Sequence, residues 1–258
     1  MSIFIQNFLR YRHLLVELVG RDIKIKYRRS TLGVFWTLLN PLLMMAVLSV
    51  VFSNLFKFDI ENFPLYLLSG QVVFTFFSDA TTSAMSAILD NASLIKKIYL
   101  PKYIFVISRV LSSTINLFAS FTALLLVMVI TRAELHYTMI LVFIPFIFLV
   151  AITMGVGLFI GAITVRFRDI MHFYSIFTTV LMYLTPIIYP MSILPGWIKY
   201  VVLINPLTNI VTMVRDVMFY NSLPSLLGIL IGFVESVIAM ALGLWVFYKN
   251  QDTFILNI

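Results

Sequence analysis

Apolar positions in this chain fall into one amphipathic stretch followed by long unbroken runs. Phe4, Phe8, Tyr11, Leu15 and Leu18 recur at steps of four, three, four and three, which is one face of a helix. Arg10, Arg12, Glu17, Arg21 and Asp22 occupy its other faces. A basic amphipathic helix of this kind is suited to lie in a membrane interface. Ile23 to Tyr27 alternates with period two, so the pattern does not dictate that the helix continues there. The apolar runs that follow predict six transmembrane helices at about 32–56, 65–88, 104–131, 138–164, 172–190 and 223–248. Strands of a membrane barrel would alternate apolar and polar residues over ~10 positions, and these runs do not. The fold class expected is therefore an all-α integral membrane protein. Residues 191–222 are broken by Pro195, Gly196, Asn205 and Pro206. Their longest apolar piece, Leu207 to Tyr220, reaches only about 21 Å as a helix, too short to cross. A re-entrant or interfacial helical hairpin before the last span is the expected form.

The organisation predicted is one transmembrane domain over 1–258. It comprises an interface helix (1–31), spans one to five (32–190), the re-entrant region (191–222), and the sixth span with its tail (223–258). Composition fits this. Of 258 residues 61% are hydrophobic and 11% charged, with a mean hydropathy of +1.03, where soluble domains carry about 25% charge. A cytosolic enzyme, a disordered chain and an ordinary secreted domain are excluded. No long apolar core precedes Leu32, so the amino-terminal segment does not read as a cleaved signal. The net charge of +7 would suggest nucleic acid in a soluble protein. Here the basic residues sort by side instead. Fourteen fall in the amino-terminal segment, around 96–109, at 166–168 and at Lys249, against Lys57, Arg132, Lys199 and Arg215 opposite. By the positive-inside rule both termini face the cytoplasm, and no nucleic-acid partner is implied.

Little catalytic chemistry is present. There is no G-x-x-x-x-G-K-[ST] phosphate loop, no H-E-x-x-H and no G-x-S-x-G. Cysteine is absent, which excludes disulfides, thiolate metal sites and cysteine nucleophiles. His13, His136 and His172 fall on separate segments and on both predicted sides of the membrane, so no metal site is expected. Asp79 sits among Ser78, Thr81, Thr82, Ser83 and Ser86, and reads either as a residue hydrogen-bonded between helices or as the polar wall of a conduit. Glu235, beside Ser236, reads as a structural or dimer-facing group. No ladder of acids joins the two sides, which disfavours a proton-driven carrier.

Four segments carry a family resemblance. They are RDIKIKYRRSTLGVFWTLLNPLL (21–43), DNASLIKKIYLPKYIFVISRVLS (90–112), VRFRDI (165–170) and LTPIIYPMSILPGWIKYVVLINPLTNIVTMVRDVMFYN (184–221). In this order and spacing they resemble the permease subunits of type 2 ABC exporters, in the branch that exports O-antigen, capsular or teichoic-acid polymers. The resemblance implies a homodimer in the bacterial inner membrane, paired with two copies of a separate ATPase subunit. That partner would bind ATP and Mg²⁺, leaving this chain a transport subunit, not an enzyme, with no cofactor of its own. It implies coupling to the ATPase through Asn91, Leu94, Ile95 and Lys96 and through Arg166, Arg168 and Asp169. Arg28, Arg29, Lys96 and Lys97 become candidates for the pyrophosphate of a lipid-linked glycan at a cytoplasmic entrance, although anionic lipid headgroups would suit them equally. Phe35, Trp36, Phe74, Phe77, Tyr174, Phe177 and Tyr183 become candidates for an aromatic glycan conduit. Export of teichoic acid, a lipid or a drug by the same architecture is the alternative.

Overall fold

The computed structural model describes residues 3–28, 30–33, 35–55, 60, 62–98 and 100–257. The described residues form eleven α-helices and no strand. Helix α1 (Ile3–Tyr27) runs unbroken through the period-two stretch, because tertiary contacts hold its last turns. Asp22 pairs with Arg109, and the Tyr27 hydroxyl donates to Asn116 Oδ1 at 3.1 Å. Leu15 and Leu18 are buried in the core. The chain turns at Gly33, whose φ of +50° suits a residue without a Cβ and whose N–H donates to Ser30 Oγ.

Among the described residues five helices are long and apolar enough to cross a membrane: α2 (Phe35–Leu55), α3 (Phe63–Asp90), α5 (Tyr103–Ile130), α6 (Phe143–Arg166) and α10 (Leu226–Asn250). A short helix α4 (Ala92–Lys97) follows α3 after a break at Asn91, and a 3₁₀ turn at Tyr137–Val142 leads into α6. The fifth predicted span differs from its expected extent. Helix α7 covers only Ile170–Leu184, and residues 185–190 continue without helical structure. Pro186 and Pro190 disfavour helix in the residues before them and donate no backbone N–H. The region expected to fold back on itself is a pair of helices, α8 (Gly196–Ile204) and α9 (Pro206–Met218), bent by 89°. Asn205 makes the break, its side chain capping the amide of Leu207 at 3.0 Å and its Nδ2 donating to Thr185 Oγ1. The C-terminal helix α11 (Phe254–Asn257) packs Phe254 edge-on against Phe247.

Lipid tails give no hydrophobic drive for helices to associate, so close approach at small residues does the work. On α6, Gly155 meets the backbone of α10 at Ala239 and Gly243, while Gly157 and Gly161 meet α3 at Ala84. Helix α3 is the centre of the bundle, with most of its length buried between its neighbours. Helix α2 leans on α3 and α5, and Leu43, Met44, Val47 and Val50 lie exposed.

Candidate functional site: a polar seam inside the bundle

Gln71, Thr75, Asp79, Thr82, Ser86 and Asp90 follow one another on α3 at steps of four, four, three, four and four. That spacing puts six polar side chains on one helix face. The stripe spans about 28 Å at 1.5 Å per residue, close to the roughly 30 Å of a hydrocarbon core. The adjacent α5 carries Arg109, Ser113, Asn116 and Ser120 at steps of four, three and four. The two rows meet at the ends the structure records. Arg109 pairs with Asp90 at 3.1 Å, and Asn116, Ser120, Gln71, Thr75 and Asp79 share one cavity.

At the Asp90 end the seam is tied by ions. Arg109 bridges Asp90 and the buried Asp22 of α1, Arg21 also reaches Asp22 at 3.1 Å, and Ser86 donates to Asp90 at 2.8 Å. Asp22 Oδ2 and Arg109 Nε remain buried without a hydrogen-bond partner. The network fixes α1 to the two helices that flank α4.

Farther along, the seam opens into a cavity of about 200 Å³, lined also by Lys26 and Tyr27 of α1 and by Trp36, Thr37, Asn40 and Pro41 of α2. Burial pushes the Tyr27 phenol above its ordinary value, and the nearby Asp79 carboxylate pushes it the same way. Asp79 and Asn40 are exposed on this side. A carboxylate turned toward lipid at mid-span would cost about 2.5–3.5 kcal/mol, so this face belongs against water or protein.

The aromatic candidates divide. Phe35, Trp36, Phe177 and Tyr183 are exposed, whereas Phe74, Phe77 and Tyr174 are packed inside the chain. The Tyr174 hydroxyl donates to Thr81 on the opposite face of α3 from the seam. Trp36 alone of the seven lines the polar cavity; Phe77, Tyr174 and Phe177 instead line an apolar hollow between α6 and α7.

The coupling candidates gather at one end of the bundle. Gly157 and Gly161 lie against Ala84, a few residues before the ends of α6 and α3 respectively, so α4 and the 166–169 turn emerge together. Ile95 is buried and Leu94 half-buried, which seats α4, while Lys96 and Lys97 are exposed. Asn91 is also buried, its Nδ2 donating to the Ala87 carbonyl at 2.7 Å. Arg166, Arg168 and Asp169 are exposed around the turn, and Arg28 is exposed after α1. Arg29 lies outside the described residues.

One residue that sequence treated only as a charge near a span end proves to be a buried anchor. Arg215 of α9 is 6% exposed. Its guanidinium donates to the carbonyls of Tyr66, Pro186 and Ile187 at 2.8–3.2 Å and to Ser69 Oγ at 3.3 Å. It also lies over the Tyr66 ring at 3.4 Å. Gly70 leaves room for it, since a Cβ there would stand 3.1 Å from the guanidinium. Arg215 thus ties α9, α3 and the non-helical stretch after α7 into one joint.

Long apolar helices carrying a polar seam, with basic turns displayed together at one end, define a polytopic membrane protein. The family model described as ABC-2 type transporter matches residues 13–219, and the chain belongs to that family. It is 28% identical over 254 residues, 97% of each chain, to the O-antigen export system permease protein RfbA of Myxococcus xanthus. An RfbA of Klebsiella pneumoniae is 27% identical over 246 residues, 93% of each chain. The polysialic acid transport protein KpsM of Escherichia coli is 25% identical over 201 residues, 76% of this chain and 77% of that one.

Proposed function

We propose that this chain is the membrane subunit of an ATP-driven exporter that carries a lipid-linked polysaccharide out of the cytoplasm across a bacterial inner membrane. The observation that carries the reading is the full-length likeness to O-antigen export permeases, 97% of both chains. In this reading two copies of the chain pair with two copies of a separate ATPase, which holds ATP and Mg²⁺, and both termini face the cytoplasm. The end that displays α4 and the 166–169 turn is the surface for the ATPase. In this reading Lys96, Lys97, Arg28 and Arg29 are the candidates for a glycan pyrophosphate, since cations suit such a dianionic group.

The test is to purify the tagged chain from its host in mild detergent. A stoichiometric ATPase whose hydrolysis responds to the host's lipid-linked glycan supports the reading. An ATPase indifferent to glycan moves the cargo to a lipid or drug, and no ATPase even after crosslinking overturns the reading. Within this scheme the double substitution Lys96→Glu and Lys97→Glu is expected to cut polymer export at least about tenfold while the ATPase still co-purifies. Reversing two charges at an anion entrance costs attraction and adds repulsion. Loss of the ATPase from the complex would assign the pair to docking instead.

A further inference from the structure

At the Asp90 end of the seam the two buried atoms without a hydrogen-bond partner, Asp22 Oδ2 and Arg109 Nε, are complementary. One is an acceptor and the other a donor, and they belong to side chains already in contact. Arg109 reaches Asp22 Oδ1 through Nη1 at 3.4 Å and Asp90 Oδ2 through Nη2 at 3.1 Å. A guanidinium pairs best with a carboxylate as a two-bond fork. A fork on Asp22 would satisfy both unpaired atoms at once, and it would turn the guanidinium away from Asp90. One arginine thus serves two carboxylates and forks neither. The two arms are unequal, because the Asp22 side chain is 5% exposed and that of Asp90 47%. A released Asp90 meets water and keeps the Ser86 hydroxyl, and exposed ion pairs contribute little. An abandoned Asp22 would stay buried with only its neighbour Arg21, and breaking a buried pair is far costlier. The Asp90 arm is therefore the one that opens. Asp90 is the last residue of α3, and α4 begins two residues later at Ala92.

We propose that Arg109 is a positioning residue with two settings, a latch between α1 and the root of α4. In the structure it holds the end of α3 to α1 and closes the seam. When the ATPase displaces α4, Asp90 withdraws, the guanidinium forks onto Asp22, and water enters the seam from that end. The proposal rests on the reading above that α4 faces the ATPase, and it adds how movement of α4 reaches α1 and α5.

The chain has no cysteine, so a single introduced thiol reads the seam. Ser113, one turn beyond Arg109 on the seam face of α5, is buried. Ser113→Cys is reacted with a charged maleimide in the purified complex of chain and ATPase. Ser108→Cys is the control, since Ser108 is buried off the seam face and donates to the Phe105 carbonyl. In the parent background the thiol at 113 is expected to react slowly without nucleotide. With a non-hydrolysable ATP analogue it should react at least about fivefold faster, the order of change that loss of one charged hydrogen bond predicts. Asp90→Asn should make it fast in both conditions, Asp90→Glu should restore the nucleotide dependence, and the thiol at 108 should stay slow throughout. A network that only braces the fold would give no response to nucleotide.

An Asp90→Asn chain that reacts as slowly as the parent without nucleotide overturns the latch. So does a parent whose rate ignores nucleotide while the ATPase is bound, since the network is then a fixed brace. An equal rise at 108 would mean general loosening of the bundle and overturns it as well. In all three cases the ATPase still co-purifies, and the exporter reading stands. A chain from which no ATPase co-purifies overturns both readings at once.

Discussion

Gly243→Val is expected to prevent stable packing of the bundle. The backbones of α6 and α10 touch where Gly243 meets Gly155, and a Cβ on either would fall inside the other helix's main chain. No rotamer change relieves a collision with backbone, so the helices must separate along the face that Gly228, Gly232, Ser236 and Gly243 present from α10. Overpacking in a close-packed interior costs about 1–3 kcal/mol and more where the backbone must move; here at least about 3 kcal/mol is expected. The measurement is thermal unfolding of the purified chain in detergent, alongside its yield from membranes. Gly20→Ala is the control, because nothing lies within 4 Å of a Cβ there and alanine favours helix. A Gly243→Val chain that melts with the parent would mean that α6 and α10 do not meet as described.

Arg215→Met is expected to cost about 3–5 kcal/mol, the second large effect. The methionine fills part of the space but donates nothing, so the carbonyls of Pro186 and Ile187 lose the guanidinium that satisfies them. Those groups lie in a stretch with few backbone hydrogen bonds of its own, the Ile187 N–H to Thr185 carbonyl bond being one. Arg215→Lys should recover only part of the loss, because an ammonium cannot reach the same four acceptors with the planar fork of a guanidinium. Thermal unfolding and limited proteolysis near 185–190 read the effect. Wild-type stability in Arg215→Met would show that the joint is held by apolar packing alone.

The parts of this fold that were legible in the sequence are those governed by side-chain type summed over a long window. Continuous apolar runs located α2, α3, α5, α6 and α10, and the Pro-Gly breaks located the bent pair. The fifth run misled as to length because hydropathy counts side chains and is blind to the missing N–H of Pro186 and Pro190. The end of α1 was ambiguous because its continuation is decided by partners far along the chain, Arg109 and Asn116.

The seam was half written in the sequence. The polar steps on α3 are visible, but that they face the polar steps on α5 follows only from how the two helices pack. Aromatic type alone could not separate Trp36, beside the polar cavity, from Phe74 and Phe77 in the core. The Arg215 joint was illegible for a different reason: most of its acceptors are main-chain carbonyls, which carry no residue signature.

The pairing of α6 with α10 also has a consequence in time. The two helices are separated by some sixty residues of chain, so α10 is made well after α6. A growing chain that has already inserted α6 therefore carries the Gly155 surface uncovered until α10 is made. Quality-control proteases that sample unassembled helices would meet that surface in products terminated between α6 and α10. Chains that include α10 hide it, so closure of this one contact separates a chain in which α10 has joined the bundle from one that stops short of it.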